Sequence, residues 1–391
     1  MAINASHEAG RRDRIRLGMV GGGQGAFIGA VHRIAARIDD QFELVAGALA
    51  SDPGRAKASA KEIGIADDRA YGAFEEMARA EAARADGIEA VAIVTPNHMH
   101  APVARAFLQA GIHVICDKPL TTTVAEAEEL VALVRSTGKL FVVTHNYTGY
   151  PLVRQAREMV ASGELGEIRL VEAEYLQDWL TEPLEHSDHK QAAWRTDPAR
   201  SGPGGCIGDI GTHAYNLACF VSGLALDELL AQLTTFVPGR RLDDDVQILL
   251  RWKGGAKGML WASQVAVGHE NGLTLRISGS KGGLAWAQEN PNQLWFTPYG
   301  RPKQLITRGG AGATGAAGRV TRLPSGHPEG YLEGFATIYA EAAHAIRAAR
   351  AGEKPDREVL FPTVEDGLAG VKFIDAAVRS SAGGGAWVRM D

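Results

Sequence analysis

Gly21-Gly22-Gly23-Gln24-Gly25-Ala26-Phe27-Ile28-Gly29 follows directly on an apolar run, Ile15–Val20, and opens a helical pattern over Gly29–Arg37. Strand, glycine turn and helix in that order make the layout in which a pyrophosphate rests on backbone N–H groups at a helix N-terminus. In the usual G-x-G-x-x-G spacing the first glycine makes the turn, the second admits the pyrophosphate, and the third lets helix approach strand. Gly21 and Gly23 fit the first two roles and Gly29 the third, which lengthens the loop by about three residues. The phosphates are then expected near Phe27 and Ile28, with Gln24 and Gly25 in the facing loop. The plainer alternative is a flexible glycine loop of any α/β protein. Its place between the first strand and a helix favours the nucleotide.

Outward from this turn, short β-branched apolar runs alternate with alanine-rich amphipathic stretches. Ile15–Val20, Phe42–Leu49, Ala90–Val94, Ile112–Cys116 and Leu140–Thr144 read as strands. Gly29–Arg37, Pro53–Ile63, Phe74–Arg84, Met99–Ala110 and Val124–Ser136 read as helices. Nearly continuous apolar strands alternating with helices predict a doubly wound parallel sheet covered on both faces. After Tyr150-Pro151 the texture changes. A helix over Leu152–Ser162 leads into strand candidates Ile168–Leu176, Leu229–Phe236, Asp245–Trp252, Ala256–Gln264 and Leu273–Ser278, which predict a large, mainly antiparallel open sheet. Gly309–Gly318 reads as an exposed loop. Helices over Tyr331–Ala351 and Thr363–Ser381 precede a short strand near Trp387.

The expected organisation is therefore α/β in two domains. Residues 1–14 form a loose tail and 15–145 a dinucleotide-binding Rossmann domain. Residues 146–391 form an α/β domain for substrate binding and oligomer contacts, its last helix able to pack back on the first. At 391 residues two cores are the default. A net charge of −5 gives no surface for neutralising nucleic-acid phosphates, so a small molecule is the expected partner. Cys116, Cys206 and Cys219 form no CxxC pair, which fits a reducing compartment rather than a disulfide framework or zinc ribbon. With no signal-peptide pattern and no run of membrane-spanning length, the expected location is the cytoplasm.

Four further stretches carry chemistry. Strand two ends Ala50-Ser51-Asp52-Pro53, at the tip where a carboxylate usually grips the adenosine ribose and selects NAD over NADP; Ala50 occupies the usual acidic position, with Ser51 and Asp52 just beyond. Ser51 and Asp52 are the candidates, with a helix cap at Asp52 the competing reading; NAD is expected, with NADP the alternative. Thr95-Pro96-Asn97-His98-Met99-His100 sits at the carboxyl edge of Ala90–Val94, where open α/β sheets bind ligands; it also suits a helix N-cap. Asp117-Lys118-Pro119-Leu120 closes the next strand and aims Lys118 at the cofactor crevice, against the commoner fate of a solvated loop lysine. In Gly204-Gly205-Cys206-Ile207-Gly208-Asp209-Ile210-Gly211-Thr212-His213, a helix starting near Gly208 would put Asp209 and His213 at i and i+4 on one face. A carboxylate can orient and tune an imidazole that titrates near neutrality. A capping Asp with a buried structural His, or a metal pair, are the competing readings; His186 and His189 are weak further ligands and no metal is expected.

Together these motifs, in this order and at these intervals, resemble the Gfo/Idh/MocA family (glucose–fructose oxidoreductase, inositol dehydrogenase, rhizopine catabolism). The resemblance runs from Ile15 to Trp387-Val388, including the Glu365–Leu368 stretch. It implies Lys118 as the catalytic-site lysine that hydrogen-bonds the reacting hydroxyl. His213 would take the hydroxyl proton, and Asp209 would orient His213 or the substrate. Thr95, Pro96, Asn97, His100 and Asp117 correspond to cofactor-contacting positions. Asn146-Tyr147 and Trp194-Arg195 correspond to segments that close over nicotinamide and substrate. Asp117 stands where the family usually has glutamate, which shortens the carboxylate arm but keeps the lysine. Tyr175, Gln177, Asp178, Trp179 and Trp194 are candidate carbohydrate contacts, against ordinary strand alternation. The expected activity is oxidation of a secondary hydroxyl of a sugar, glycoside or cyclic polyol by a homodimer or homotetramer. Glycoside cleavage through transient oxidation and a nucleotide-sensing regulator are the alternatives.

Overall fold

The structure is a computed structural model that describes residues 14–390, so the expected tail lies outside the described residues except for Arg14. The chain divides into two compact units. Unit one comprises 14–121, 125–146 and 331–367; unit two comprises 122–124, 147–330 and 368–390.

In unit one, five parallel strands run β1 (Ile15–Gly21), β2 (Phe42–Ala48), β3 (Ala90–Val94), β4 (His113–Cys116) and β5 (Phe141–Val143), in spatial order β2-β1-β3-β4-β5. β3 is buried at all five positions, as its unbroken apolar run requires when helices cover both faces. Each of its Val and Ile side chains contributes about 1.5–3 kcal/mol by leaving water. The glycine turn leads into α1 (Phe27–Ile38), which buries Val31, His32, Ala35 and Ala36. α2 (Pro53–Glu62), α3 (Phe74–Ala83), α4 (His100–Gln109) and α5 (Val124–Thr137) complete the alternation. A late helix, Tyr331–Arg350, belongs to this unit and packs on α1 and β2 through Phe335 against His32 (5.1 Å) and Tyr339 against Phe42 (5.3 Å, edge-on). The sequence reading offered the last helix for this return. Of that helix, Val364–Ala382, residues 364–367 belong to unit one and 368–382 to unit two.

Unit two is built on nine strands: β6 (Ile168–Leu176), β7 (Leu226–Thr234), β8 (Asp245–Trp252), β9 (Lys257–Ser263), β10 (Gly272–Gly279), β11 (Gly282–Ala287), β12 (Gln293–Pro298), β13 (Gln304–Thr307) and β14 (Val388–Arg389). Their order is β13-β12-β11-β10-β6-β9-β8-β7-β14. Every pair is antiparallel except β6 with β9. One face packs on α6 (Pro151–Ala161) and on a helix over Thr212–Ser222, through Val171, Ala173, Ile248, Leu260, Leu273 and Leu275. Alternate residues point to the other face, where Leu170, Leu249, Met259 and Trp261 are exposed.

The segment expected as an exposed loop, Gly309–Gly318, is exposed at half of its positions and is also docked. A short helix spans Gly315–Val320, and Ala317 is buried. Gln155 on α6 donates to the Gly312 carbonyl (2.6 Å) and accepts from Thr314 N–H (3.3 Å). Glu158 accepts from Ala316 N–H (3.2 Å). Polar partners on a neighbouring helix supplied an anchorage that glycine content alone does not announce.

Candidate active site

Unit one carries the nucleotide half. Gly21 (φ +80°) and Gly22 (φ +72°) turn the chain through the left-handed region that side chains avoid. A Cβ on Gly29 would overlap the Gly22 backbone, so Gly29 performs the third-glycine role despite its distant spacing. Gly23 N–H bonds to the Leu49 carbonyl at the end of β2 (3.1 Å), and a Cβ there would meet that oxygen at 2.6 Å. Arg33 staples the turn by donating to the Gly22 carbonyl (2.8 Å). The N-cap of α1 is Ala26, whose side chain satisfies none of the helix's first N–H groups. Those donors, at Phe27 and Ile28, are the ones an anion would use. The turn therefore fits a pyrophosphate.

Around it, Gln24 donates to Glu62 (2.7 Å), and its N–H goes to Ser59 Oγ (3.1 Å). Ser51 is exposed beside Asp52, and Asp52 Oδ1 caps α2 through Arg55 N–H (2.7 Å). Thr95 Oγ1 and Asn146 Nδ2, at the carboxyl ends of β3 and β5, are buried without a protein partner. Pro96 and buried Asn97 begin a single 3₁₀ turn. His100, a candidate cofactor contact, sits deeper. It is fully buried, with Nδ1 2.8 Å from the Pro119 carbonyl and Nε2 2.9 Å from the Thr95 carbonyl. With each ring nitrogen facing a carbonyl, the imidazole spans the two motif loops. Burial holds its pKa below the usual histidine range, against the pull of Asp117 and the two carbonyls.

Lys118 is half-buried after β4. Asp117 beside it accepts from Thr144 Oγ1 (2.6 Å) and meets His32 Nε2 (3.0 Å), whose Nδ1 meets the Tyr339 hydroxyl (2.8 Å). Burial opposes its charge, but His32, the Thr144 hydroxyl and His100 together hold its carboxyl below the ordinary range. The shorter arm of aspartate is thus met by a buried histidine from α1. The sequence reading passed over His145. Burial, then the nearby Lys118 charge, holds its pKa down at about 3, so it is neutral at physiological pH. Its place in an apolar strand end gave no sequence signal.

Unit two carries the candidate acid–base residues. The motif around 207 is not a plain helix start: Ile207–Gly211 is a π-helical turn, followed by α7, here the helix Thr212–Ser222. Such turns insert a residue into the helical ladder and often mark functional sites. Asp243 fixes it, its carboxylate accepting from Gly205 N–H (2.6 Å) and Ile207 N–H (2.8 Å). Burial pushes Asp243 up to about 6. His213 is buried against the Tyr147 ring (4.9 Å, edge-on) and near Tyr175 (6.2 Å). Asp209 Oδ2 accepts from Arg195 Nε (3.1 Å) and Gln264 Nε2 (2.9 Å). Trp194 lies under the Arg195 guanidinium (4.3 Å) and donates to Gln191 (3.3 Å).

The Tyr147 and Tyr175 hydroxyls bond to each other (2.6 Å); Tyr175 and Gln177 both donate to Asn271 Oδ1 (2.8 Å each). Burial raises the Tyr147 pKa, and the Asp209 charge adds to it, so the two motifs share one electrostatic neighbourhood. Asn271, Gln264 and Asp243 were not singled out in the sequence, because lone amides and acids on loops and strand ends carry no spacing signal. His189 caps a short helix through Ala192 N–H (3.2 Å). Among the described residues no group of three or more His, Cys, Asp or Glu is placed to hold a metal.

Residues 15–156 match the model of the oxidoreductase family with an NAD-binding Rossmann fold, and 153–285 that of the GFO/IDH/MocA C-terminal domain. The chain is 36% identical to the uncharacterised oxidoreductase YfiI of Bacillus subtilis, over 96% of this chain and 97% of that one. It is 30% identical to the levoglucosan dehydrogenase of Pseudarthrobacter phenanthrenivorans, over 72% of this chain and 75% of that one. Among solved structures, an oxidoreductase from Sinorhizobium meliloti is 58% identical with a TM-score of 0.87, covering 96% of this chain and 99% of that one. An inositol dehydrogenase homologue from Azotobacter vinelandii, complexed with NADH and myo-inositol, is 36% identical with a TM-score of 0.90, covering 96% and 98%.

Proposed function

The chain belongs to the Gfo/Idh/MocA family of NAD-binding oxidoreductases, and from that premise we propose that it oxidises a secondary hydroxyl of a cyclic polyol, sugar or glycoside. Gly21, Gly23, Gly25 and the first N–H groups of α1 hold the pyrophosphate of NAD. Ser51 and Asp52 would serve the ribose, and Thr95, Asn97 and Asn146 the nicotinamide end. When bound, NAD⁺ supplies the hydride acceptor. His213 removes the hydroxyl proton, and the Lys118 ammonium stabilises the charge that develops on that oxygen. Asp209 orients the base or a neighbouring hydroxyl, while Tyr147, Tyr175, Gln177 and Trp194 shape the substrate's surroundings. What supports this reading most is the Ile207–Gly211 turn, which delivers a buried imidazole and a doubly hydrogen-bonded carboxylate within one short stretch. As part of the same reading we place the enzyme in the cytoplasm, none of its three cysteines being in a disulfide, and assign it a homo-oligomeric state. None of the described helices is long and apolar enough to cross a membrane.

A panel of inositols, monosaccharides and glycosides, assayed for NADH absorbance with NAD⁺ and NADP⁺ in parallel, tests the proposal. The expected result is reduced cofactor with at least one ring hydroxyl compound, and a loss of roughly 100-fold or more in kcat for Lys118→Met with NAD⁺ binding retained. Sugar release without NADH would replace oxidation by cleavage. Full turnover by Lys118→Met would remove the lysine from its role.

A further inference from the structure

Asp209 stands in an acidic place. Buried Cys206, at the head of the same turn, is within electrostatic reach of Asp243, Asp209, Asp245 and Asp244, whose charges add to burial in raising its thiol pKa. Two donors oppose them. Arg195 Nε and Gln264 Nε2 converge on the single oxygen Oδ2, at 3.1 and 2.9 Å. Neither donor is loose. Arg195 also donates to Gln191 Oε1, and its guanidinium lies on the Trp194 ring. Gln264 is buried at the end of β9, its N–H on the Asp244 carbonyl (2.8 Å) and its own carbonyl accepting from Leu180 N–H (3.0 Å). The charged and titratable groups around the turn are thus Arg195, His213, Tyr147, the Cys206 thiol and the Asp243–Asp245 run.

We propose that Arg195 and Gln264 are positioning residues that hold Asp209 ionised and fixed, so that the carboxylate and His213 work as a pair. The inference rests on the dehydrogenase reading for its catalytic meaning, but its electrostatic content stands alone. Arg195 contributes charge and a directed N–H; Gln264 contributes a directed N–H without charge. Their removal should therefore have unequal effects.

The test is a carboxyl titration of the intact, substrate-free protein labelled with ¹³C at aspartate Cγ, with Asp209→Asn used to assign the signal. Arg195→Met should raise the Asp209 midpoint by about one pH unit or more, and Gln264→Leu by less. Arg195→Lys should recover part of the difference, as it keeps the charge and loses the planar fork. Should Arg195→Met fail to fold, Gln264→Leu and Arg195→Lys still carry the comparison. In turnover of myo-inositol, or of whichever panel compound is oxidised fastest, the acid limb of the kcat profile should move up by the same amount. An Asp209 midpoint unchanged in folded Gln264→Leu and Arg195 variants would overturn the proposal. Shifted midpoints with no oxidation of any panel compound would leave the clamp standing and overturn the dehydrogenase reading.

Discussion

At positions 113 and 145, burial rather than residue type decides the charge of an imidazole. His113 is held down at about 4 by burial and then by Lys139, and His145 at about 3 by burial and then by Lys118. Unfolded, each takes up a proton near 6.5. The folded state therefore binds fewer protons below that value, and each group's contribution to stability is lost as the pH falls through the lowered folded pKa. Asp243 has the opposite sign. Pushed up to about 6, it gives stability that is present below about 3.8 and lost as the pH rises through 6. His113 and His145, joined by the likewise depressed His100, oppose Asp243 between pH 6 and 4, so the urea midpoint should fall on acidification from 6.5. His113→Gln, which keeps an acceptor for the Leu140 N–H, should flatten that slope by about 1.4 kcal/mol per pH unit. An unchanged slope would show that the attribution to this side chain is wrong. Lys118, Asp209 and His213 could be named as candidates from the sequence because motif spacing carried them. His145, Asp243 and Gln264 were not, since desolvation and hydrogen bonding at isolated positions belong to the tertiary structure.

Among the elements, legibility followed length and periodicity. The five parallel strands could be read from apolar runs because burial on both faces removes polar interruptions. β11 to β13 were missed: each has four to six residues with only a brief alternation, as in Leu284/Trp286 and Leu294/Phe296, between Gly and Pro-containing turns. The docked segment after β13 was missed for a different reason. Its anchors are polar and lie far away in sequence. Arg308, almost wholly buried, donates to Asn292 Oδ1 (2.7 Å), the Leu323 carbonyl (2.7 Å) and Glu329 Oε1 (2.9 Å). Glu329 Oε1 also accepts from Arg322 and Leu323 N–H (2.7 Å each). Deleting one partner of such a pair strands the other charge in a dry site, at a cost of about 3–5 kcal/mol. Arg308→Met should lower the urea midpoint accordingly and speed tryptic cleavage at Arg319 and Arg322. Wild-type stability and cleavage rates would mean that the pair does not hold the segment.

For the molecule as a whole, the α/β class and the change of texture near Tyr150 could be read from the chain, but the return of Tyr331–Arg350 to the first unit could not. Its apolar positions, Phe335, Ile338, Tyr339, Ala342 and Ile346, would suit any covering helix, and only their fit against α1 and β2 decides. The same reasoning applies to what covers the second sheet. Its outer face carries Leu249 directly opposite Met259 across β8 and β9, with Trp261 and Leu170 exposed on neighbouring register positions. Around them, Arg276 pairs with Glu172 (3.3 Å) and Glu174 (3.7 Å), giving a polar surround to an apolar centre. An apolar patch rimmed by charge on a flat sheet suits a self-complementary twofold contact, in which each copy meets the same surface of the other. Leu249→Glu with Met259→Lys should therefore convert an oligomer to a monomer in size-exclusion chromatography with light scattering. Both side chains are about half exposed, so the fold itself should lose little stability. A wild-type chain that is monomeric at micromolar concentration, or an oligomer untouched by the double substitution, would move the contact off this face.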